Sequence, residues 1–534
     1  MPRELDASSG ACANHKMVLE LSYNTLDVPP EIWEHIATFA SRQSVARLCS
    51  LSHAFCSVFS VLLYSSLVNP PLTASQSSRL IETLTDGQTS RPDWKPHPAT
   101  LIRQLRLTGG SRLSHFEKTP VSINALRTLA RAPLGSALRV LHWNLAAGID
   151  ELGRTLGVPG NFPNVKEIVV SSKGFNTNFN ASFVQIRGLE VLGLDLDLSF
   201  HEIEDNYSAI GNKLCYKLAE VLQMLPSASP LLHTLRLDLI IPLNDEAECP
   251  WKGYEDLISD INLLHLPALT TLDLAVNLDP TEENEMDPDD MADADFFPFL
   301  SLHPKLLDLT LDAPGTALTN DPTFLPCLRF FKGSLDDAAV VCACRRQLNE
   351  IVLKFVERDG GYTNFDTLPL PTHLSLTKLR VQAVYADGKV VKNTDELRPA
   401  SLAQLVSSFP NLTHLDICIE SPIPEYRHSL VLLTKLQSLR FQEYRETNGA
   451  PRTLDVKKLF PPSGYIEEFS SFLPSLPQLA HIEICVMVDT VQFFDRSSPQ
   501  MTGYYNFAVR AGKAFSETAR GLVRKTKSVA STQP

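Results

Sequence analysis

Apolar residues recur along this chain as Leu-x-x-Leu-x-Leu or a close substitute. Leu189, Leu192 and Leu194 show the pattern. So do Leu269, Leu272 and Leu274, then Leu306, Leu309 and Leu311, then Leu412, Leu415 and Ile417. The last two apolar residues of each copy are separated by one residue that faces the other way, the period-two signature of a half-buried strand. Leu192 and Leu194 point one way and Gly193 and Asp195 the other, and Asp273 opposes Leu272 and Leu274 in the same manner. First positions of the motif fall at Ile102, Leu138, Val165, Leu189, Leu232, Leu269 and Leu306. Weaker or later copies begin at Leu328, Leu348, Leu376, Leu412, Leu436 and Leu479.

Between copies the spacing becomes helical. Leu126 and Leu129 lie within Asn124 to Ala132, five apolar positions within Leu214 to Leu225, and four within Leu402 to Phe409. These helices are expected to stop near Pro133, Pro226 and Pro410, because proline lacks the N–H that continues a helix. A phrase then returns, as FPNVKEI, LPALTTL, FPNLTHL and LPQLAHI: a proline turn that opens a strand. No single unit of this kind buries its apolar face alone, so neighbours must stack. The pattern resembles the leucine-rich repeat, whose period is roughly 20–29 residues. The gaps here run from 20 to 43, so the longer ones hold insertions. That family also places Asn or Cys three residues after the last strand leucine. Asn277 fits after Leu274, while Leu196-Asp197 and Ala313-Pro314 show the departures. The expected fold is α/β, an irregular solenoid (horseshoe) with a parallel sheet on the concave face and helices on the convex face.

The segment from Leu26 to Leu67 has a different rhythm. Pro29 and Pro30 precede Glu31, and proline costs nothing in the first turn of a helix. Ile32, Ile36 and Phe39 share one helical face. Ser41 is a break or cap. Val45 and Leu48 form a second stripe, and Phe55, Val58, Phe59, Leu62 and Leu63 a third. Each stripe is too short to persist alone in water, so the three are expected to share a small core.

This stretch resembles an F-box. The family opens on Leu-Pro-x-Glu and continues through three helices to a Leu-Tyr ending. The matching residues are Val28-Pro29-Pro30-Glu31-Ile32, Ile36 and Phe39, then Val45, Leu48 and Leu51, then Phe55 and Leu63-Tyr64. Ser52-His53 departs from the usual Val-Cys or Val-Ser. Leucine-rich F-box proteins of fungi give the nearest resemblance for the whole. It implies that the module docks a Skp1-like adaptor, and through it a cullin, by way of Pro29, Pro30, Ile32, Ile36, Leu48, Leu51 and Phe55. Read from its residues alone, the module is a helical cap on the first repeat. The domain plan is a lead over 1–24, the module over 25–69, a Ser/Thr/Pro-rich connection over 70–98, repeats over 99–509, and a basic cap or tail over 510–534.

Composition narrows the rest. Hydrophobic residues make up 44 % of 534 residues, enough for a large core, and the formal net charge of -13 argues against a nucleic-acid footprint. Ten scattered cysteines read as reduced thiols, and Cys342 with Cys344 lacks the second pair that zinc requires. No signal peptide or apolar run of about eighteen residues is present, which points to cytoplasm or nucleus and no membrane contact. The insertion from Asp279 to Asp295 holds nine acids and no Lys or Arg, so it reads as a mobile, solvated loop with affinity for a basic partner. Its spacing does not fit a calcium loop.

No G-x-S-x-G elbow, phosphate loop or H-E-x-x-H occurs, so neither an enzyme nor a cofactor is expected. Outward strand positions give the candidate partner surface, chiefly Arg236, Asp238, Asp273, Asp308, Arg380, His414, Asp416 and Arg440, with Arg106, Thr271, Thr310 and Glu483 beside them. The resulting expectation is a receptor that holds an unknown protein substrate for a Skp1–cullin–F-box ubiquitin ligase. The alternative is a leucine-rich scaffold with no ligase role.

Overall fold

The structure is a computed structural model. It describes residues 35, 39–51, 55–56, 59–60, 63, 66–68, 101–108, 137–144, 158, 161–173, 187–197, 207–242, 252–279, 295–313, 316, 318–344, 347–355, 371–383, 399–419, 423–446, 462–470, 472–489, 501–510 and 513–517. Sixteen strands form one sheet whose spatial order is the chain order. They are β1 (Ser66–Val68), β2 (Gln104–Thr108), β3 (Val140–Asn144), β4 (Glu167–Lys173), β5 (Val191–Asp197) and β6 (Thr234–Pro242). Then come β7 (Thr271–Asp279), β8 (Asp308–Asp312), β9 (Phe330–Gly333), β10 (Glu350–Phe355) and β11 (Lys378–Ala383). The last are β12 (His414–Ile419), β13 (Ser438–Glu446), β14 (His481–Asp489), β15 (Met501–Arg510) and β16 (Lys513–Glu517).

Neighbours from β1 to β14 are parallel. Parallel pairing needs a crossover between strands, and the sequence between motifs supplies it. The described helices are α1 (Arg42–Cys49), α2 (Tyr207–Ala228), α3 (Lys252–Asn262), α4 (Phe297–Ser301), α5 (Leu335–Cys344), α6 (Pro399–Ser408), α7 (Arg427–Leu430) and α8 (Pro462–Ser470). The inward leucines of the strands and the apolar faces of α2, α3, α5, α6 and α8 form one continuous core from Ile102 to Phe507. The ladder resembles a leucine-rich-repeat solenoid, with the described core helices against one face of the sheet.

The recurrent proline phrase proves to be a four-residue turn. Its first carbonyl accepts the N–H of its fourth residue: Phe162 from Val165 at 3.2 Å, Leu266 from Leu269 at 3.0 Å, His303 from Leu306 at 3.1 Å, Phe409 from Leu412 at 3.3 Å. Proline sits second, where its fixed φ suits the turn. First and fourth side chains both enter the core, as Leu266 and Leu269 do. Phe162 and Leu325 hold left-handed φ angles of 51° and 48° at the first position. That conformation costs a non-glycine residue about 1–2 kcal/mol, and burial of both side chains offsets it. Where the first residue is polar, it finds a partner in the preceding repeat. Ser229 Oγ accepts the N–H of Leu189 at 3.1 Å, and His303 Nε2 accepts that of Leu266 at 3.0 Å.

Several boundaries differ from the sequence expectation. α2 runs two residues past Pro226. Proline removes one N–H from the helical ladder, but Ser229 N–H still reaches the Leu225 carbonyl at 2.8 Å and holds the last turn. Asn277 lies within β7, which extends to Asp279, and so does not tie down the turn after the strand. The sheet begins at Ser66, inside the segment assigned to the helical module. At the other end Lys513–Glu517 is a strand antiparallel to β15, not a cap helix. β15 is itself antiparallel to β14, and antiparallel neighbours need no crossover helix.

Candidate interaction surface

The side chains that alternate with the core leucines face away from the helices. Because the strands pair in register, these outward residues line up across the sheet. One row runs Arg106, His142, Val169, Gly193, Arg236, Asp273 and Thr310. It continues through Lys332, Val352, Arg380, Asp416, Arg440 and Glu483. The row before it holds Thr234, Thr271, Asp308, Glu350, Lys378, His414 and Ser438 at its centre and far end. The row after it brings Ser171, Asp195, Asp238, Ala275 and Asp312 together. All of the outward residues selected from the sequence therefore share one face, in three adjacent rows.

The two halves of that face differ in charge. From β11 to β14 the middle row alternates in sign. Arg380 Nε lies 3.1 Å from Asp416 Oδ2, Arg440 Nη1 lies 3.6 Å from the same oxygen, and Arg440 Nε lies 3.6 Å from Glu483 Oε1. Gln442 Nε2 donates to Asp416 Oδ1 at 3.0 Å. Asp416 is the buried centre of this cluster. Lys378 pairs with Glu350 at 3.3 Å. His414 stands next to Lys378 in register, and partial burial with that ammonium pulls its pKa below the usual imidazole value, against the opposing Glu350 carboxylate.

From β5 to β8 the same face is acidic. Asp195, Asp238, Asp273, Asp308 and Asp312 stand with one cation, Arg236. Arg236 and Asp238 are exposed and the others half-buried. Thr271 Oγ1 donates to Asp308 Oδ2 at 3.3 Å and Ser171 Oγ to Asp195 Oδ2 at 2.5 Å. Asp279, at the end of β7, leads into the acidic insertion, of which residues 280–294 lie outside the described residues.

The adaptor-docking residues are placed only in part. Pro29, Pro30, Ile32 and Ile36 lie outside the described residues. Ser41 Oγ accepts the N–H of Ser44 at 3.1 Å and so caps α1. Val45 is buried, Leu48 and Phe55 are half-buried, and Leu51 is 64 % exposed. Phe39 is 80 % exposed.

Sequence reasoning missed the polar residues that point inward. Glu443 follows Phe441 on the core side of β13, in register with Ile419 and Val486. It accepts the Tyr465 hydroxyl at 2.7 Å, and both residues are buried. A glutamate at an apolar strand position was the available signal. His142 and Glu167, joined at 2.7 Å across β3 and β4, were also missed. Cys342 is buried, which pushes its thiol up to about 12, while Cys344 Sγ contacts the Asn320 carbonyl at 2.7 Å. Among the described residues no group of three or more His, Cys, Asp or Glu is arranged to hold a metal ion. Among them, too, no helix is long and apolar enough to cross a membrane.

No protein-family model matches this chain, and no curated protein matches it. Among solved structures it is similar to the crystal structure of a TLR13–ssRNA13 complex, at 17% identity and a TM-score of 0.27. The match covers 68% of this chain and 43% of that one.

Proposed function

We propose that this chain is the substrate-recognition subunit of a Skp1–cullin–F-box ubiquitin ligase. The observation that carries the reading is the open sheet face, on which fourteen parallel strands present rows of side chains with the described core helices packed on the other side. Such a face is a physical route to extended protein recognition. Its acidic half, over β5 to β8, favours a target segment rich in Lys and Arg. The resemblance of residues 28–64 to an F-box supplies the ligase half of the reading. The exposure of Leu51 and Phe39 supports it, since large apolar side chains open to water beside a small helical module suit docking. The chain's role is placement: it raises the local concentration of target near a ubiquitin-loaded enzyme borne by other subunits, with no cofactor of its own.

The test is capture by a purified Skp1-like adaptor, using the full chain. Truncation before residue 70 is unsuitable because it removes β1 along with the module. Leu51→Asp and Phe39→Asp should each abolish capture at unchanged circular dichroism, and Asp238→Ala should leave it intact. Absence of capture by the wild-type chain, or equal capture by the Asp variants, defeats the ligase reading and leaves a leucine-rich scaffold.

A further inference from the structure

The turns that lead into the strands line one edge of the solenoid, and that edge has a chemistry of its own. The residue just before each strand donates its N–H to its counterpart one repeat earlier. Glu190 reaches Lys166 at 2.8 Å, His233 reaches Glu190 at 3.0 Å, Thr270 reaches His233 at 2.9 Å, Leu307 reaches Thr270 at 2.8 Å and Arg329 reaches Leu307 at 2.8 Å. These bonds keep successive turns one strand spacing apart, about 4.8 Å. Leu231 lies in the turn before β6, while Leu263 and Leu302 directly follow α3 and α4 in the connections that lead into β7 and β8; they are 60%, 77% and 41% exposed. Leu374 and Leu432 occupy later turns of the same edge and are also exposed. Scattered surface leucines need no explanation, but these gather on one edge.

The edge is also basic in an acidic chain. The described turns hold seven exposed cations, among them Arg139, Arg187, Lys305, Arg329 and Lys435, against two carboxylates, Glu190 and Asp321. Glu190 is itself paired with Lys166 at 3.2 Å. Leucine and cation share single helix-to-strand connections, as Leu302 with Lys305 and Leu432 with Lys435 do.

We propose that this edge docks an acidic amphipathic segment of a partner protein. The leucines take its apolar side chains and the flanking Lys and Arg its carboxylates. Charge complementarity selects the occupant, because the sheet face over β5 to β8 has the opposite sign and would repel the same segment. The row is one turn wide, and no aromatic side chain is exposed in the described turns, which suits a polypeptide better than a bilayer surface. This docking is separate from target capture on the sheet face and from adaptor capture by the module.

The experiment is fluorescence anisotropy of the full chain with a labelled synthetic helix of about 18 residues, leucines on one face and glutamates on the other. Saturable binding that weakens with salt is expected, with no binding of the version carrying Lys for Glu. Leu263→Glu/Leu302→Glu and Lys305→Glu/Arg329→Glu should each weaken it about tenfold or more at unchanged melting behaviour. Asp238→Ala should not. The proposal is overturned by an absence of saturable binding, by wild-type affinity in either double variant, or by tighter, edge-dependent binding to phosphatidylserine vesicles. Adaptor capture measured on the same preparations separates failure of this proposal from failure of the ligase reading.

Discussion

His303 offers the sharpest test of how the turns hold the repeats together. It occupies the buried first position of its turn, where other repeats place Leu266, Phe409 or Leu476, and it is 2% exposed. Nε2 accepts the Leu266 N–H at 3.0 Å, so the proton sits on Nδ1, which donates to the Phe299 carbonyl at 2.7 Å. Burial pulls the pKa below the usual imidazole value, the Phe299 carbonyl opposes this, and His265 adds to the lowering. The unfolded chain therefore binds the proton more readily than the folded one. Stability from this residue is complete above the unfolded pKa of about 6.5 and is lost as pH falls below it, at no more than about 1.4 kcal/mol per pH unit. His303→Leu keeps the turn apolar but orphans the Leu266 N–H, a cost of about 1–3 kcal/mol at neutral pH. His303→Ala adds a cavity, for a total of about 2–5 kcal/mol. Urea unfolding followed by far-UV circular dichroism at pH 7.5 and 5.5 reads both effects. The gap between wild type and His303→Leu should narrow in acid. A gap that stays constant with pH would show that the imidazole is not held neutral by this pair of bonds.

Two further substitutions probe the core. A Cβ on Gly333 would lie 2.6 Å from Phe331 Cζ and 3.0 Å from the Leu311 carbonyl oxygen; Cζ lies on the axis about which the ring turns, so rotating the ring gives no relief, and Gly333→Ala should lower stability by about 1–3 kcal/mol, while an unchanged urea midpoint contradicts the close approach. Tyr465→Phe removes the hydroxyl that Glu443 accepts at 2.7 Å, at a cost of about 1.5–3 kcal/mol; combined with Glu443→Gln the loss should be less than additive, and strict additivity would mean that the two side chains do not interact.

Strand positions were legible because leucine at period two has one plausible use, and Leu192, Leu235, Leu272 and Leu309 all enter the core as their spacing requires. The proline turn was legible as a phrase, though not its mechanism. What stayed hidden depends on long-range placement. Arg380, Asp416, Arg440 and Glu483 each stand four residues after a motif start, at Leu376, Leu412, Leu436 and Leu479, so their common row was readable, but the ion pairs that gather on Asp416 were not. The inward polar residues were hidden for another reason. Glu443 and His303 violate the apolar pattern, and only the three-dimensional partner shows how the violation is tolerated.

The charge pattern of the sheet face follows from the same geometry. In-register parallel strands place like positions about 4.8 Å apart, so any charged row must alternate in sign or repel itself. The row from β11 to β14 alternates, and its carboxylates stand beside guanidinium groups. Its Nε contacts lie within ion-pair range yet off the line of a hydrogen bond, since Arg380 Nε and Arg440 Nε make none. With the arginine side chains 43% and 35% exposed, each pair contributes only about 0–1 kcal/mol, too little to be what the fold rests on. What the alternation does is cancel the field. Over β5 to β8 no such alternation occurs, and five carboxylates face a single arginine. Electrostatic attraction of a partner to this face is therefore concentrated over β5 to β8, where the strands' own charges leave a net field.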